Sequence, residues 1–495
     1  MGAVVTGWAG AGRRLVDRTI RPRFADPLWR RQACWVLGVL GLLAFMIRVL
    51  GASWPGHFKI FFPDSFSFKN AAKLTPFNPK FYAAERPIAY PALLFVLGRS
   101  TVVTVVVQTA LYGLAYLVAA RAAFRILRRN EARVVCVFLV LTIAIEPRFA
   151  LWNTHILSES LGMTLAVLSV VGWWLFAAEP SRRRLNWAGL ATIAWLTVRD
   201  SNVPPWAAVG VPALLLASWL WKGADPLLRR SLRRWGIITL AVCIGVAVTQ
   251  AANGRDRYAT LNNVGQRVLP DAQITSWFAD HGMPLDAALL KRKGASSFDN
   301  NWDMLTSPDL ATFRAWADGS GQRLMLLSYV RFAPHWISVL NHDLPVLLSS
   351  NQSAYDAFGV SKRLPDPPPA QIAGPTSREG LVVWTVLSVA ALAIAFTRRR
   401  RVQAVVLALL LVSTFVDLYM AYIGDSVEVQ RHMVGPLSRM ALVMVLCLAV
   451  GFDAMVELVS ERWHASRAEE RVPDATAADP NDDSDELVGA LDPAP

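Results

Sequence analysis

Asp64 lies in the segment FFPDSFSF, where aromatic and polar residues alternate directly after the first long apolar run. This alternation is typical of a segment that rests at a lipid–water boundary and presents one carboxylate to the water. Such a carboxylate suits general-base chemistry on the polar head of a molecule whose apolar tail lies in the bilayer. The alternative is a structural role, in which Asp64 only caps a short helix running through Ser67 and Lys69.

His155 and Glu159 stand four residues apart in THILSESLGM, and this spacing predicts that both lie on one face of a helix. Glu159 would then hold the imidazole tautomer or orient a substrate hydroxyl, so both residues are catalytic candidates. The alternative is an N-terminal cap formed by Ser158 or Thr154. A His–Glu pair is also half of a metal site, but no second dense cluster accompanies it, so neither a metal nor another cofactor is predicted.

Three basic residues at predicted span ends are candidates for binding a phosphate. Arg199 ends one span in TVRDSNVPP, and Arg431 with His432 opens another in GDSVEVQRHMVG. A guanidinium offers paired donors that match phosphate oxygens. Positive residues are scarce on the outer side of a membrane, so these arginines indicate a role beyond orientation. Snorkelling toward anionic headgroups is the alternative.

Other polar residues near the outer ends of the spans are candidates for substrate binding: Arg86, Asp417, Asp425 and Glu428. Asp417 lies inside an apolar run, where a carboxylate is costly, so we expect it to face a polar cavity and to pair with Arg199 or Arg431. Transporters tend to place such groups near the middle of the membrane. Their position near the surface therefore favours an enzyme that acts on a lipid headgroup.

The composition indicates a multi-span membrane protein, because 54% of the residues are apolar and only 18% are charged. The net charge of +13 comes from arginines clustered between apolar runs, where orientation and anionic membrane lipids explain them, so no nucleic-acid partner is predicted. No CxxC spacing indicates a zinc site or an outer disulfide framework, because the cysteines all lie inside apolar runs: Cys34, Cys136, Cys243 and Cys447.

We predict an all-α polytopic membrane protein with about ten transmembrane helices. The arginines before the first run predict a cytoplasmic N-terminus, and ten spans return the C-terminus to the same side. The candidate site is then predicted on the outer face of the plasma membrane. The first run lacks a cleavage site and is expected to remain as an anchor. The predicted spans are near 34–51, 102–124, 132–147, 160–178, 186–199, 204–221, 235–252, 380–397, 402–423 and 433–456.

The apolar segment near 324–344 is long enough to cross, but Arg331, Pro334 and two histidines make it a costly membrane helix. We predict an interfacial helix there, because a further span would place the Arg398–Arg401 loop outside. The predicted organisation is then a basic cytoplasmic segment 1–33, a membrane module 34–252 with its first outer loop at 52–101, an extracytoplasmic region 253–379, a second membrane module 380–456, and a disordered acidic cytoplasmic tail 465–495.

The segments PDSFSF, RPIAYP, HILSES and GDSVEVQRH, in this order relative to the spans, resemble the GT-C superfamily of membrane glycosyltransferases. The resemblance extends to dolichyl-phosphate-mannose mannosyltransferase-like families and covers roughly residues 35–455. It implies a GT-C-like fold and an acidic catalytic base in the first outer loop, at the position of Asp64. Ser65 stands where many members have a second acidic residue, so a metal-binding pair is not expected in this loop.

The resemblance implies an inverting glycosyltransferase that takes a sugar from a polyprenyl-phosphate donor and adds it to a hydroxyl of a glycan, lipid or protein acceptor on the outer face. The residues leave two alternatives open. A flippase or transporter of lipid-linked glycans would use the same arginines to bind a headgroup without breaking a bond. A non-catalytic subunit of a cell-envelope complex would use them only for structure.

Overall fold

The computed structural model describes residues 27–52, 63–84, 86–254, 256–348, 374–398, 400–427 and 429–469. Within these ranges the chain forms helices, turns and irregular connections, with no β-strand. The predicted all-α class is confirmed for this part of the chain. The first 26 residues and the predicted tail beyond residue 469 lie outside the described residues.

The helices fall into two membrane groups and a connecting region. The first group comprises α1 Pro27–Ala52, α2 Pro63–Ala71, α3 Pro79–Tyr82, α4 Ala89–Val96, α5 Thr101–Ile126, α6 Asn130–Ile145, α7 Pro147–Thr154, α8 Ser158–Ala178, α9 Arg182–Leu196, α10 Asp200–Leu220 and α11 Pro226–Ala252. The connecting region comprises α12 Asp256–Asn263, α13 Ala272–Asp280, α14 Ala287–Leu290, α15 Asp299–Thr306, α16 Ala311–Trp316, α17 Gln322–Arg331 and α18 Ala333–Leu348. The second group comprises α19 Arg378–Thr397, α20 Arg401–Gly424 and α21 Val429–Glu469.

Seven helices among the described residues are long and apolar enough to cross a membrane: α5, α8, α10, α11, α19, α20 and α21. The pair α6 and α7 bends by 51° and forms an eighth crossing if it is one broken span. Of the ten predicted spans, the two that fall short lie in α1, whose apolar part is Trp35–Gly51, and in α9. Helix α9 has 15 residues, or about 22 Å, against a hydrocarbon core of about 30 Å.

The centre of the bundle is formed by α8 and α21. Helix α8 packs against α5, α9, α20 and α21, and residues 440–447 of α21 are all at most 2% exposed. A helix that is apolar on every side belongs in the interior of a bundle. Small residues bring the backbones together: a Cβ on Gly172 would lie 3.0 Å from the Ala188 Cα, and one on Gly451 would lie 2.4 Å from the Ala391 Cβ.

One end of the bundle is rich in arginine, and a buried carboxylate organises it. Asp453 of α21 is completely buried and accepts hydrogen bonds from the backbone amides of Arg128 and Arg129 at 2.7 to 3.2 Å. It also forms an ion pair with Arg400, which reaches Glu457 at 3.1 Å. Three chain segments are therefore joined at this place, which we call the arginine-rich end.

We expect Asp453→Asn to lower the free energy of unfolding by about 3 kcal/mol or more, because it leaves the Arg400 guanidinium buried without its closest counter-charge. Thermal unfolding in detergent measures the loss. The matched control is Glu461→Gln, which removes an exposed pair with Arg398 and is expected to cost at most about 1 kcal/mol. Equal stability of the two variants would show that the Asp453 contacts are not structural.

Two tyrosines join the connecting region to the C-terminal end of α20. The Tyr419 hydroxyl donates to the Tyr329 carbonyl at 2.8 Å, and the Tyr422 hydroxyl donates to the Asp343 carboxylate at 2.6 Å. The segment 324–344 forms α17 and α18, which are separated at Phe332, and neither helix is long enough to be a candidate span. Both expose apolar side chains, including Val330, which is 79% exposed.

Candidate active site

The end of the bundle opposite the arginine-rich end gathers charged residues from distant parts of the chain. We call Asp64, Glu159, Arg199, Arg431 and His432 the charged cluster. Asp64 comes from α2, Glu159 from the first turn of α8, and Arg199 from the residues just after α9. Arg431 and His432 come from the first turn of α21. The tertiary structure therefore brings together both carboxylates that were predicted as catalytic and all three predicted phosphate-binding residues.

Arg431 is the bridge between the two carboxylates. Its Nε donates to Glu159 Oε1 at 2.5 Å, and its Nη1 lies 2.8 Å from Asp64 Oδ2. The Arg431 side chain is only 6% exposed, and the Glu159 side chain is completely buried. Charge-assisted hydrogen bonds of this kind hold a guanidinium in one orientation.

Glu159 lies behind the arginines and is shielded from solvent, because its side chain is completely buried. The catalytic role predicted for Glu159 stays a prediction. The Glu159 Oε1 also lies 3.7 Å from Arg199 Nη2. Gly162 lies one turn further along α8, and a Cβ there would lie 3.4 Å from the Arg199 Cδ, so the glycine leaves room for the arginine.

Arg199 makes fewer contacts with carboxylates than Arg431 does. Its Nη2 lies 3.2 Å from His432 Nδ1, and its nearest carboxylate oxygen among the described residues is the one on Glu159, beyond hydrogen-bond distance. The side chain is nonetheless only 10% exposed. A buried guanidinium whose donors are not used by carboxylates is suited to an anionic ligand.

Asp64 lies at the mouth of the cluster, where its side chain is 28% exposed. It forms an ion pair with Arg86, whose guanidinium also lies 4.9 Å from the ring centroid of Phe68. The neighbouring Ser65 hydroxyl donates to the Ile156 carbonyl at 2.9 Å, which fixes α2 against the chain before α8. Arg86, predicted as a substrate-binding residue, thus contacts the candidate base directly.

His155 is not on the helix that carries Glu159, so the predicted i, i+4 arrangement is wrong. Helix α8 begins at Ser158, and His155 has extended backbone with φ −109° and ψ 143° after α7. The Gln108 side chain donates to the His155 carbonyl at 2.7 Å, so this non-helical segment keeps its backbone hydrogen-bonded. Burial lowers the His155 pKa, the Glu159 charge opposes the shift and the Arg431 charge adds to it, so that the pKa is about 4. His155 is therefore neutral at physiological pH.

Asp417 pairs with Arg439 at 3.3 Å and not with Arg199 or Arg431, so the predicted partner is wrong. Arg439 also donates to the Ser413 carbonyl at 2.7 Å and lies over the Trp195 ring, 4.7 Å from its centroid. Asp417 and Arg439 are 3% and 5% exposed. Sequence reasoning missed Arg439, although a charged residue inside an apolar run is itself a signal.

Asp425 lies in the connection between α20 and α21, where it accepts a hydrogen bond from Asn262 of α12 at 2.9 Å. It also accepts from the Val427 amide at 3.0 Å, so it helps to join the connecting region to the membrane helices. Arg267, which sequence reasoning did not single out, lies nearby over the Tyr422 ring, 4.5 Å from its centroid. Glu428, the remaining predicted substrate-binding residue, lies outside the described residues.

The chemistry of the charged cluster is that of guanidiniums facing carboxylates. No group of three or more His, Cys, Asp or Glu residues in the described ranges is arranged to hold a metal ion, and we assign no metal ligand. What the cluster offers is one partly exposed carboxylate beside two buried arginines. This arrangement can accept a proton and bind an anion within one small volume.

The chain was compared with protein-family models, with curated proteins and with solved structures. No family model, no curated protein and no solved structure matches it.

Proposed function

We propose that the protein is an integral membrane glycosyltransferase, which transfers a sugar from a polyprenyl-phosphate donor to an acceptor hydroxyl at the outer face. The observation that carries the proposal is the convergence of Asp64, Arg199 and Arg431 at one end of an apolar bundle. The sequence resemblance to GT-C enzymes agrees with this chemistry. A base and a phosphate site at the end of the apolar helices fit a substrate with a lipid tail and a polar head.

The donor phosphate binds between Arg199 and Arg431. Both guanidiniums are buried, and low local dielectric strengthens their attraction for an anion. Glu159 holds Arg431 by its Nε edge and leaves the rest of the guanidinium turned toward Asp64. As the bond between the anomeric carbon and the phosphate oxygen breaks, the phosphate leaves with the electron pair, and the two arginines stabilise the growing charge.

Asp64 serves as the general base. Its ion pairs with Arg86 and Arg431 hold the carboxylate in place at the mouth of the cluster. The arriving phosphate competes for Arg431 and releases one oxygen of Asp64 for the acceptor hydroxyl. The acceptor hydroxyl then loses its proton to Asp64 while its oxygen attacks the anomeric carbon from the side opposite the phosphate, with inversion.

The direct test uses the purified protein in lipid nanodiscs with labelled polyprenyl-phosphate hexoses and pentoses, and membrane extract from cells lacking the gene as acceptor. Release of polyprenyl phosphate together with labelled product supports the proposal. Movement of intact donor across a vesicle membrane without bond cleavage would support a flippase. If the protein shows neither transfer nor transport with any donor, the non-catalytic alternative remains.

The proposed topology has ten crossings in the plasma membrane, both termini in the cytoplasm, and the connecting region and charged cluster outside. Placed in a chain whose own cysteines are replaced by alanine, Leu290→Cys should label from outside and Arg183→Cys from the cytoplasm. Both positions are exposed, which makes them accessible to a membrane-impermeant thiol reagent. Labelling of both from the same side would contradict the topology.

A further inference from the structure

A cavity lies apart from the charged cluster, between α8, α10, α11 and α20. It has a volume of about 350 Å³, and its wall is almost entirely apolar and aromatic. Trp173 and Trp206 form part of the wall, with ring centroids 5.6 Å apart, and Phe176 continues it toward the end of α8. All three are buried in the bundle. A cavity with this lining accepts a hydrocarbon chain and offers a polar headgroup very little.

The cavity has the depth of one membrane leaflet. Along α20 its lining runs from Arg401 to Ser413, and twelve residues of helix span about 18 Å. Half of a hydrocarbon core is about 15 Å. The Arg401 end belongs to the arginine-rich end of the bundle, because the adjacent Arg400 forms the ion pair with Asp453 described above.

The end of the lining farthest from Arg401 carries a polar group. Ser413 lines the cavity there, and its carbonyl and hydroxyl both accept hydrogen bonds from Arg439, at 2.7 and 3.1 Å. Arg439 is in turn paired with Asp417. These buried contacts lie between the cavity and the charged cluster, so a chain that enters from the arginine-rich end stops at Ser413.

The mouth of the cavity carries Arg401, a cation without a carboxylate partner among the described residues. Arg401 is exposed, and its contact within the described residues is with the Phe396 ring, 5.7 Å from the centroid, with no carboxylate at ion-pair distance. Arg400, the preceding residue, is by contrast buried and committed to Asp453 and Glu457. A guanidinium at the membrane surface attracts the phosphate of an anionic lipid.

We propose that this cavity binds one acyl chain of an anionic glycerophospholipid from the leaflet at the arginine-rich end, with the lipid phosphate at Arg401. In the topology proposed above, this is the cytoplasmic leaflet. The inference does not depend on the proposed enzymatic activity. Lipid tails are already in an apolar medium, so selectivity comes from the fit to the aromatic wall and from the Arg401 charge.

The test is native mass spectrometry of the full-length protein, after delipidation and reconstitution into nanodiscs of equal phosphatidylglycerol and phosphatidylcholine. We expect one retained phospholipid, with phosphatidylglycerol favoured about fivefold by the single arginine. Ala217→Phe places a ring in the cavity and should abolish retention. The control Ala241→Phe adds the same ring on an exposed face of α11 and should retain the lipid.

Arg401→Gln should keep the retained chain but lose the fivefold preference, whereas Arg183→Gln, an exposed arginine away from the cavity lining, should keep both. If Ala217→Phe does not fold, Ala213→Phe fills the same cavity from α10. An absence of retained lipid in the unmodified protein, or unchanged retention in the filled variant, would overturn the proposal. Retention of a polyprenyl phosphate in place of the phospholipid would also overturn it.

Discussion

Replacing Arg431 with alanine is expected to reduce sugar transfer by at least about 10²-fold and to lower the free energy of unfolding by about 3–5 kcal/mol. Both losses have one cause. Arg431 joins the completely buried Glu159 to the exposed mouth of the cluster. Its removal takes away a phosphate ligand and leaves Arg199, 3.7 Å away, as the remaining ion-pair partner of Glu159 among the described residues. Turnover of the lipid-linked donor and thermal unfolding in detergent measure the two effects.

A second variant separates catalysis from stability. In the double variant Arg431→Gln with Glu159→Gln, the buried charge and its counter-charge are both removed, so most of the stability should return while transfer stays low. Arg431→Lys should recover only part of the transfer, because an ammonium cannot contact both carboxylates with paired donors.

The matched control for this prediction is Arg148→Ala. Arg148 also forms a buried ion pair, with Glu146 at 3.0 Å, but it lies outside the charged cluster. The Arg148→Ala substitution should lower the free energy of unfolding about as much as Arg431→Ala does, while the specific activity of the folded fraction stays near normal. If Arg148→Ala and Arg431→Ala reduce transfer equally per folded molecule, Arg431 has only a structural role.

Asp64→Asn is expected to lower the rate of transfer by about 10²–10⁴-fold, which is the usual contribution of a positioned general base. Asparagine keeps the size of the side chain and caps helices about as well as aspartate, but it cannot take a proton. Because Asp64 is 28% exposed, its ion pairs with the two arginines are partly hydrated, so the loss of stability should stay within about 1 kcal/mol. Steady-state transfer and donor binding are the measurements.

Asp318→Asn is the control for a general effect of removing a paired carboxylate. Asp318 is 45% exposed and forms an ion pair with Arg257 at 2.9 Å in the connecting region, away from the charged cluster. The Asp318→Asn variant should transfer sugar at the same rate as the unmodified protein. Near-normal transfer by Asp64→Asn would rule out this residue as the base and favour the interpretation in which Asp64 orients Arg86 and Arg431.

The sequence predicts the elements of this protein better than their contacts. Apolar runs show which segments enter the bundle, because transfer of a helix into a membrane depends mainly on its own composition. The places where this reasoning falls short have local causes. Helix α9 is short because Arg182–Arg184 occupy its first turn and it ends at Leu196, and the bend between α6 and α7 occurs at Pro147.

The position of a helix boundary explains why the predicted arrangement of His155 and Glu159 is wrong. A spacing of four residues places two side chains on one face only if the helix covers both, and α8 begins between them at Ser158. The Gln108 side chain, which reaches this segment from α5, satisfies its carbonyl groups and permits the non-helical backbone. No pattern within THILSESLGM contains that contact.

By itself the sequence determined the all-helical membrane class and the chemical types of the candidate residues, since both follow from composition and local order. The pairing of these residues was decided by the tertiary structure: Glu159 and Arg431, which form the central ion pair, are 272 positions apart, and Asp417 pairs with Arg439 instead of the predicted partners. Packing of α21 against α8 and against α20 brings these groups together, and the high cost of an unpaired charge in the bundle favours pairing between the groups that lie within reach.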